Sequence, residues 1–122
     1  MTGIIIEVKN GLDTNIELFK KAIEKNKTLK TITGKKPEWI DNKRIICYTE
    51  RNDIKTLCYN IIKKALCRFN VSLSIVYINE YSKKNNSRIT VSNDMIRVTT
   101  RCTRLTKAEV KDYKQLLFNK EA

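Results

Sequence analysis

Residues 54–78, IKTLCYNIIKKALCRFNVSLSIVYI, decide the fold class of this chain. The first part has the three- and four-residue apolar spacing of an amphipathic helix. Its apolar positions are Ile54, Leu57, Cys58, Ile61, Ile62 and Ala65. Asn52 stands where a side chain could cap the start of this helix. Residues 71–78 then alternate apolar side chains with two serines, which is the two-residue period of a strand. A helix followed directly by a strand predicts an α+β fold.

The residues before this stretch extend the same pattern. Residues 4–8 are apolar and β-branched, which predicts a strand. Residues 12–26 carry an apolar stripe at helical spacing, and residues 28–33 and 44–49 predict two more strands on either side of a loop at 38–42. The resulting order of strand, helix, strand, strand, helix and strand is that of a ferredoxin-like βαββαβ unit. We therefore predict such a unit over residues 1–80.

The last part of the chain predicts an extension of that unit within a single domain of residues 1–122. Residues 81–87 are polar and predict an exposed, mobile loop. Residues 88–91 and 95–102 alternate around a turn at 92–94, which predicts a β-hairpin. Thr106 and Glu109 have the spacing of a capping box, so a C-terminal helix should begin here. We expect its apolar side to be formed by Val110, Tyr113, Leu116 and Leu117.

The charge of the chain is its strongest functional signal. Lys and Arg number 25 against 13 Asp and Glu, which gives a formal charge of +12 on 122 residues. Such a surplus repels itself in a compact protein and favours a polyanionic partner that releases counterions on binding. The chain has no histidine, the commonest acid–base residue, and its three glycines are isolated rather than grouped in a phosphate loop. We therefore predict a non-enzymatic protein without a cofactor.

The cysteines indicate a compartment rather than a metal site. Cys47, Cys58, Cys67 and Cys102 form no CxxC pair and have no histidine near them, so we predict no metal. Four thiols within apolar patterns are typical of a reducing compartment, either the cytoplasm or an organellar matrix. No apolar run approaches the ~18 residues of a membrane span, and the N-terminus does not have the pattern of a signal peptide.

The predicted hairpin is the first candidate binding surface. Residues 82–107 contain seven basic residues and one acidic residue, Asp94. Strand alternation would place Arg88, Arg97 and Arg101 on one sheet surface among threonines, and arginine forks with hydroxyls suit phosphate oxygens. The alternative is that these are solvent-facing residues that protect a sheet edge from aggregation. The candidate nucleic-acid ligands are Lys83, Lys84, Arg88, Arg97, Arg101, Arg104 and Lys107.

Two further basic clusters have simpler explanations available. One surrounds Trp39 and consists of Lys35, Lys36, Lys43 and Arg44, which are also candidate nucleic-acid ligands. An exposed Trp39 could stack on a base, but the usual burial of tryptophan favours its packing over the sheet edge. The other cluster consists of Lys55, Lys63, Lys64 and Arg68 on the predicted second helix. We interpret it as a solvated polar face.

One segment resembles a known family. The sequence from Gly11 to Lys25, continuing to Leu29 and Lys30, is similar to the first helix of the bacterial small-subunit ribosomal protein 21 family in its acidic start and its Phe-Lys and Glu-Lys pattern. The resemblance covers less than a quarter of the chain, and the arginine-rich second half of that family is missing. It implies a ribonucleoprotein setting, and no residue roles follow from it.

These observations lead to one expected function and two alternatives. We expect non-catalytic RNA binding, as a small component of a ribonucleoprotein such as a ribosome, with no membrane partner. One alternative is a basic adaptor or inhibitor, such as a viral one, that docks on an acidic protein. The other is a carboxylate-dependent nuclease that uses Asp41, Glu50 and Asp53. The first strand lacks the aromatic residues with which an RNA-recognition motif stacks bases, so base stacking on the sheet is not expected.

Overall fold

The computed structural model describes residues 1–25, 37–82, 86–93 and 97–118, with the backbone alone for Ser92, Asn93 and Val98. The described residues form six strands and three helices in an α+β arrangement. In chain order they are β1 (Thr2–Asn10), α1 (Asp13–Glu24), β2 (Glu38–Trp39), β3 (Arg44–Thr49), α2 (Ile54–Phe69), β4 (Ser72–Asn79), β5 (Ser87–Asn93), β6 (Val98–Arg104) and α3 (Lys107–Phe118).

The strands form one antiparallel sheet in the order β2-β3-β1-β4-β5-β6. β1 lies inside the sheet, where Ile5 is opposite Ile46 of β3 on one side and Val76 of β4 on the other. Its run of three isoleucines is buried on both faces of the sheet, which explains why β1 is continuous in apolar residues rather than alternating. β2 and β6 form the two edges of the described sheet.

One face of the sheet, the helix-covered face, packs against α1 and α2. The apolar stripes predicted for these helices supply Phe19 and Ile23 from α1 and five buried residues from α2. Together with the inward side chains of β1, β3, β4 and β5 they form the larger core. Its most buried members include Ile4, Ile6, Ile45, Cys58, Ala65, Leu73, Ile75 and Ile89.

The opposite face, the α3 face, carries a smaller core beneath the C-terminal helix, formed by Ile5, Ile46, Val76, Ile78, Leu105 and Leu117. Gly3 permits the close approach of α3 to β1, because a Cβ atom at this position would lie 2.9 Å from Leu117 Cδ1. The predicted capping box is present. The Thr106 amide donates to Glu109 Oε1 at 3.1 Å, and the Glu109 amide donates to Thr106 Oγ1 at 3.2 Å.

Two predictions about local structure between β1 and α2 are wrong. Glu38 and Trp39 do not belong to a loop, because they pair with Ile46 and Ile45 as the short strand β2. Asn52 does not cap α2: the N-cap position is Asp53, whose side chain makes no cap hydrogen bond. The Asp53 carboxylate instead accepts a hydrogen bond from Arg51 Nε at 2.7 Å.

The C-terminal extension differs from the prediction in three respects. Residues 92 and 93, predicted to belong to the hairpin turn, continue β5 and pair with β6. Within the predicted exposed loop, Asn86 is buried, and its Oδ1 accepts a hydrogen bond from the Asn79 amide at 2.9 Å. On α3, Leu116 is 41% exposed rather than part of the apolar side. Phe118 packs against Tyr48 instead, with ring centroids 6.0 Å apart.

The ferredoxin-like arrangement stays a prediction. The strand expected at 28–33 lies outside the described residues, and β2 is what pairs with the free side of β3. Among the described helices, none is both long enough and apolar enough to cross a membrane.

Candidate nucleic-acid interface

The β5–β6 hairpin brings two of the predicted arginines to one face. Arg88 is opposite Thr103 and Thr90 is opposite Arg101, so these four side chains belong to the α3 face. The register therefore produces the mixture of guanidinium and hydroxyl groups that the alternation indicates. Arg97 is exposed just before β6. Lys83 and Lys84 lie outside the described residues.

Arg88 already has a structural role. Its Nη2 lies 2.8 Å from Glu109 Oε2 and donates to the Tyr113 hydroxyl at 3.0 Å, so it ties β5 to α3. The Glu109 carboxyl has a lowered pKa, first because it accepts the Thr106 amide and further because Arg88 lies beside it. Part of the donor capacity of Arg88 is thus used inside the protein rather than on a ligand.

Three other predicted ligands of this region are exposed and differently placed. Arg101 belongs to the α3 face, whereas Arg104 is opposite Ser87 and belongs to the helix-covered face. Lys107 is the first residue of α3, where the positive end of the helix dipole disfavours a cation. None of the ion pairs among the described residues involves Arg101, Arg104 or Lys107. These three side chains can therefore bind an external anion without breaking an ion pair.

The part of the α3 face that the helix leaves open carries a polar row across five strands. The strand registers place Arg44, Glu7, Ser74, Thr90 and Arg101 next to one another in that order. A cavity of about 300 Å³ lies over the first four residues of this row, with Tyr113 of α3 and Arg88 also among its lining residues. Glu7 contributes a carboxylate in the middle of the row, and Lys9, which also lines the cavity, forms an ion pair with it at 3.0 Å. The negative charge of Glu7 is therefore compensated within the protein.

The cluster around Trp39 does not present an exposed ring. Trp39 packs against the larger core, and Lys20 Nζ lies 4.9 Å from the centroid of its ring. The structure therefore shows Trp39 packed over the sheet edge, as the usual burial of tryptophan predicts. Arg44 Nε donates to Asp41 Oδ2 at 2.8 Å, while Lys43 is exposed. Lys35 and Lys36 lie outside the described residues.

The outer surface of α2 is a basic surface to which sequence reasoning assigned no function. The helix contains Lys55, Lys63, Lys64 and Arg68, all exposed, and no acidic residue. No ion pair among the described residues neutralises any of these four cations. The absence of acidic residues from a 16-residue basic helix is the signal in the sequence that could have identified this surface.

The carboxylates proposed for a nuclease are engaged elsewhere. Asp41 accepts the amides of Lys43 and Arg44 at 2.8 Å, and these bonds together with the Arg44 side chain lower its pKa. Asp53 is paired with Arg51, and Glu50 lies 3.7 Å from the N-terminal amine. Within the described ranges, no three metal-ligating side chains come together.

The buried cysteines and Tyr48 of the sheet suggest no reactive or stacking site. Burial raises the pKa of the Cys47 and Cys58 thiols to about 12, which suppresses the nucleophilic thiolate. All four cysteines are free. Tyr48 of β3 lies on the α3 face, but its hydroxyl donates to the Leu117 carbonyl and Phe118 packs against its ring. Comparisons with protein-family models, with curated proteins and with solved structures found no match to this chain.

Proposed function

We propose that the protein is a non-catalytic nucleic-acid-binding protein that binds RNA as a small component of a ribonucleoprotein such as a ribosome. The observation that carries the proposal is the segregation of charge among the described residues. Six carboxylates are used in internal ion pairs, whereas the cations of α2 and β6 have no such partner. Unneutralised Lys and Arg on a folded surface favour a phosphate backbone, because binding releases its condensed counterions.

The side chains of β6 also support the proposed RNA binding. β6 is an edge strand, and its exposed positions are arginines and threonines, with no acidic residue in the strand. Arginine forks and hydroxyl groups are the side chains most used on phosphate oxygens. The four free cysteines support a reducing compartment for this function. The neighbour order of β3, β1 and β4 supports, as part of the same proposal, a ferredoxin-like unit that carries the hairpin and α3.

The test measures binding of a fluorescent single-stranded RNA and a DNA duplex of matched sequence across a salt series. It compares the wild type with Arg97→Ala/Arg101→Ala, and with the control Lys111→Ala/Lys114→Ala, which removes the same charge from α3. For a single strand, the slope of log K against log salt is about −0.7 for each phosphate contact, so two lost contacts should reduce the slope by about 1.4. We expect that reduction only in the hairpin variant.

Two results would overturn the proposal. If the wild type binds neither nucleic acid at low salt, nucleic-acid binding is wrong. If it instead forms a saturable one-to-one complex with an acidic protein, the adaptor alternative is correct. Equal slopes for wild type and hairpin variant would show that β6 is not the contact surface.

A further inference from the structure

We propose that the groove between α1 and α2 is a binding site for single-stranded RNA. The inference rests on the proposed RNA-binding function and assigns to it a second surface, separate from the hairpin. The groove has a volume of about 490 Å³ and follows α2 from Leu57 to Arg68, which is about 16 Å at 1.5 Å per residue. A groove of this length suits an extended chain.

The charge of the groove favours a polyanion. Among the described residues, its charged lining residues are Arg51, Lys64 and Arg68, and none of the described carboxylate side chains lines it. Arg51 is paired with Asp53, but Lys64 and Arg68 have no ion pair among the described residues. They are four residues apart, so their like charges are neighbours on one side of the helix and repel each other. Phosphates bound between them would relieve that repulsion.

The floor of the groove distinguishes a single strand from a duplex. It is apolar, and at one end Phe69 is only partly buried while its ring is held by an edge contact with Phe19, the ring centroids being 5.9 Å apart. Proteins that bind single strands combine a cationic groove for the backbone with aromatic rings on which bases stack. A duplex has its bases already stacked and paired, so it cannot offer them to Phe69.

The experiment uses fluorescence anisotropy with a labelled 12-nucleotide oligouridine and a labelled RNA hairpin stem of the same length. Lys64→Glu/Arg68→Glu is compared with Lys55→Glu/Lys63→Glu, a control with the same charge change on the same helix but outside the groove. A third variant, Phe69→Leu, tests stacking. Thermal unfolding of each variant establishes that it remains folded.

We expect the groove variant, Lys64→Glu/Arg68→Glu, to weaken oligouridine binding at least tenfold more than the control variant does. Phe69→Leu should weaken it about fivefold or more, as expected for loss of one stacked base, and should leave binding of the duplex stem unchanged. Competition with a polyglutamate peptide should displace the RNA only at much higher concentration.

Three results would overturn the inference. If RNA binds and the groove variant behaves like its control, the groove is not the site, although the proposed function stands. If polyglutamate displaces the RNA as well as unlabelled oligouridine does, or if Phe69→Leu has no effect, the groove is a general anion site rather than one for single strands. If the wild type binds no RNA, both the proposed function and the groove inference are wrong.

Discussion

The contact between Gly3 and Leu117 offers a quantitative test of how α3 is docked on the sheet. A Cβ atom at Gly3 would lie 2.9 and 3.0 Å from the two terminal carbons of Leu117 and 3.2 Å from its Cβ. Overpacking of this kind costs about 1–3 kcal/mol. Gly3 has strand geometry without a positive φ, so alanine fits its backbone conformation. Alanine also lowers the conformational entropy of the unfolded chain, which stabilises the folded protein by about 0.4–1 kcal/mol. Gly3→Ala should therefore destabilise the protein by about 0.5–2 kcal/mol.

The sign of this effect should depend on Leu117. Leu117→Ala alone should cost about 2–5 kcal/mol, because it removes a side chain that is 97% buried and leaves a cavity against β1. In that background the two closest carbons are gone, and the new methyl group fills part of the cavity. Gly3→Ala should then be neutral or stabilising by up to about 1 kcal/mol. The double-mutant cycle should show a coupling energy of about 0.5–3 kcal/mol.

Urea unfolding followed by far-UV circular dichroism measures all four free energies. The control cycle combines Gly3→Ala with Leu57→Ala, a buried residue of the other core, and should be additive within about 0.5 kcal/mol. If Gly3→Ala costs the same with and without the Leu117 side chain, α3 does not lie on β1 and the reasoning is refuted.

Two further predictions concern the polar contacts of the C-terminal extension. The folded-state pKa of Glu109 lies below its ordinary value of 4.5, so its contribution to stability is present above that value and is lost as the pH falls through the folded pKa. The unfolding free energy of Glu109→Gln should therefore fall less than that of the wild type when the pH is lowered from 5. An equal loss of stability in the two proteins would contradict the Arg88 contact. Asn86→Ala should cost about 1–3 kcal/mol in urea unfolding, because it removes a buried side chain and leaves the part-buried Asn79 amide without its acceptor. Asn52→Ala at an exposed position should cost less than about 0.5 kcal/mol. Equal effects of the two asparagine variants would mean that the Asn86 bond is not stabilising.

Most helices and strands could be predicted because their signals are local. The apolar stripe of α2, the two-residue patterns of β4 and β6, and the capping box of α3 each occupy contiguous residues. The structure confirms the helix, the two strands and the capping box. The wrong predictions concern residues whose structure is decided by contacts with residues distant in the chain rather than by their neighbours. Glu38 and Trp39 carry no strand pattern of their own and pair only because β3 presents a free edge to them. Asn86 lies in a polar segment that predicts a loop. Its side-chain oxygen nevertheless accepts a hydrogen bond from the Asn79 amide of β4.

The candidate site was less predictable, because the same arginine can bind a ligand or hold the fold together. The sequence by itself determined the surplus of +12, the absence of histidine and the acid-free composition of α2 and β6. Only the tertiary structure decided that Arg88 is held by Glu109, 21 residues away, that Arg104 lies on the other face from Arg101, and that Lys64 and Arg68 border a groove with α1. The physical reason is that charge and periodicity are properties of neighbouring residues, whereas an ion pair or a groove requires two elements to be brought together by the order of the sheet and the docking of the helices.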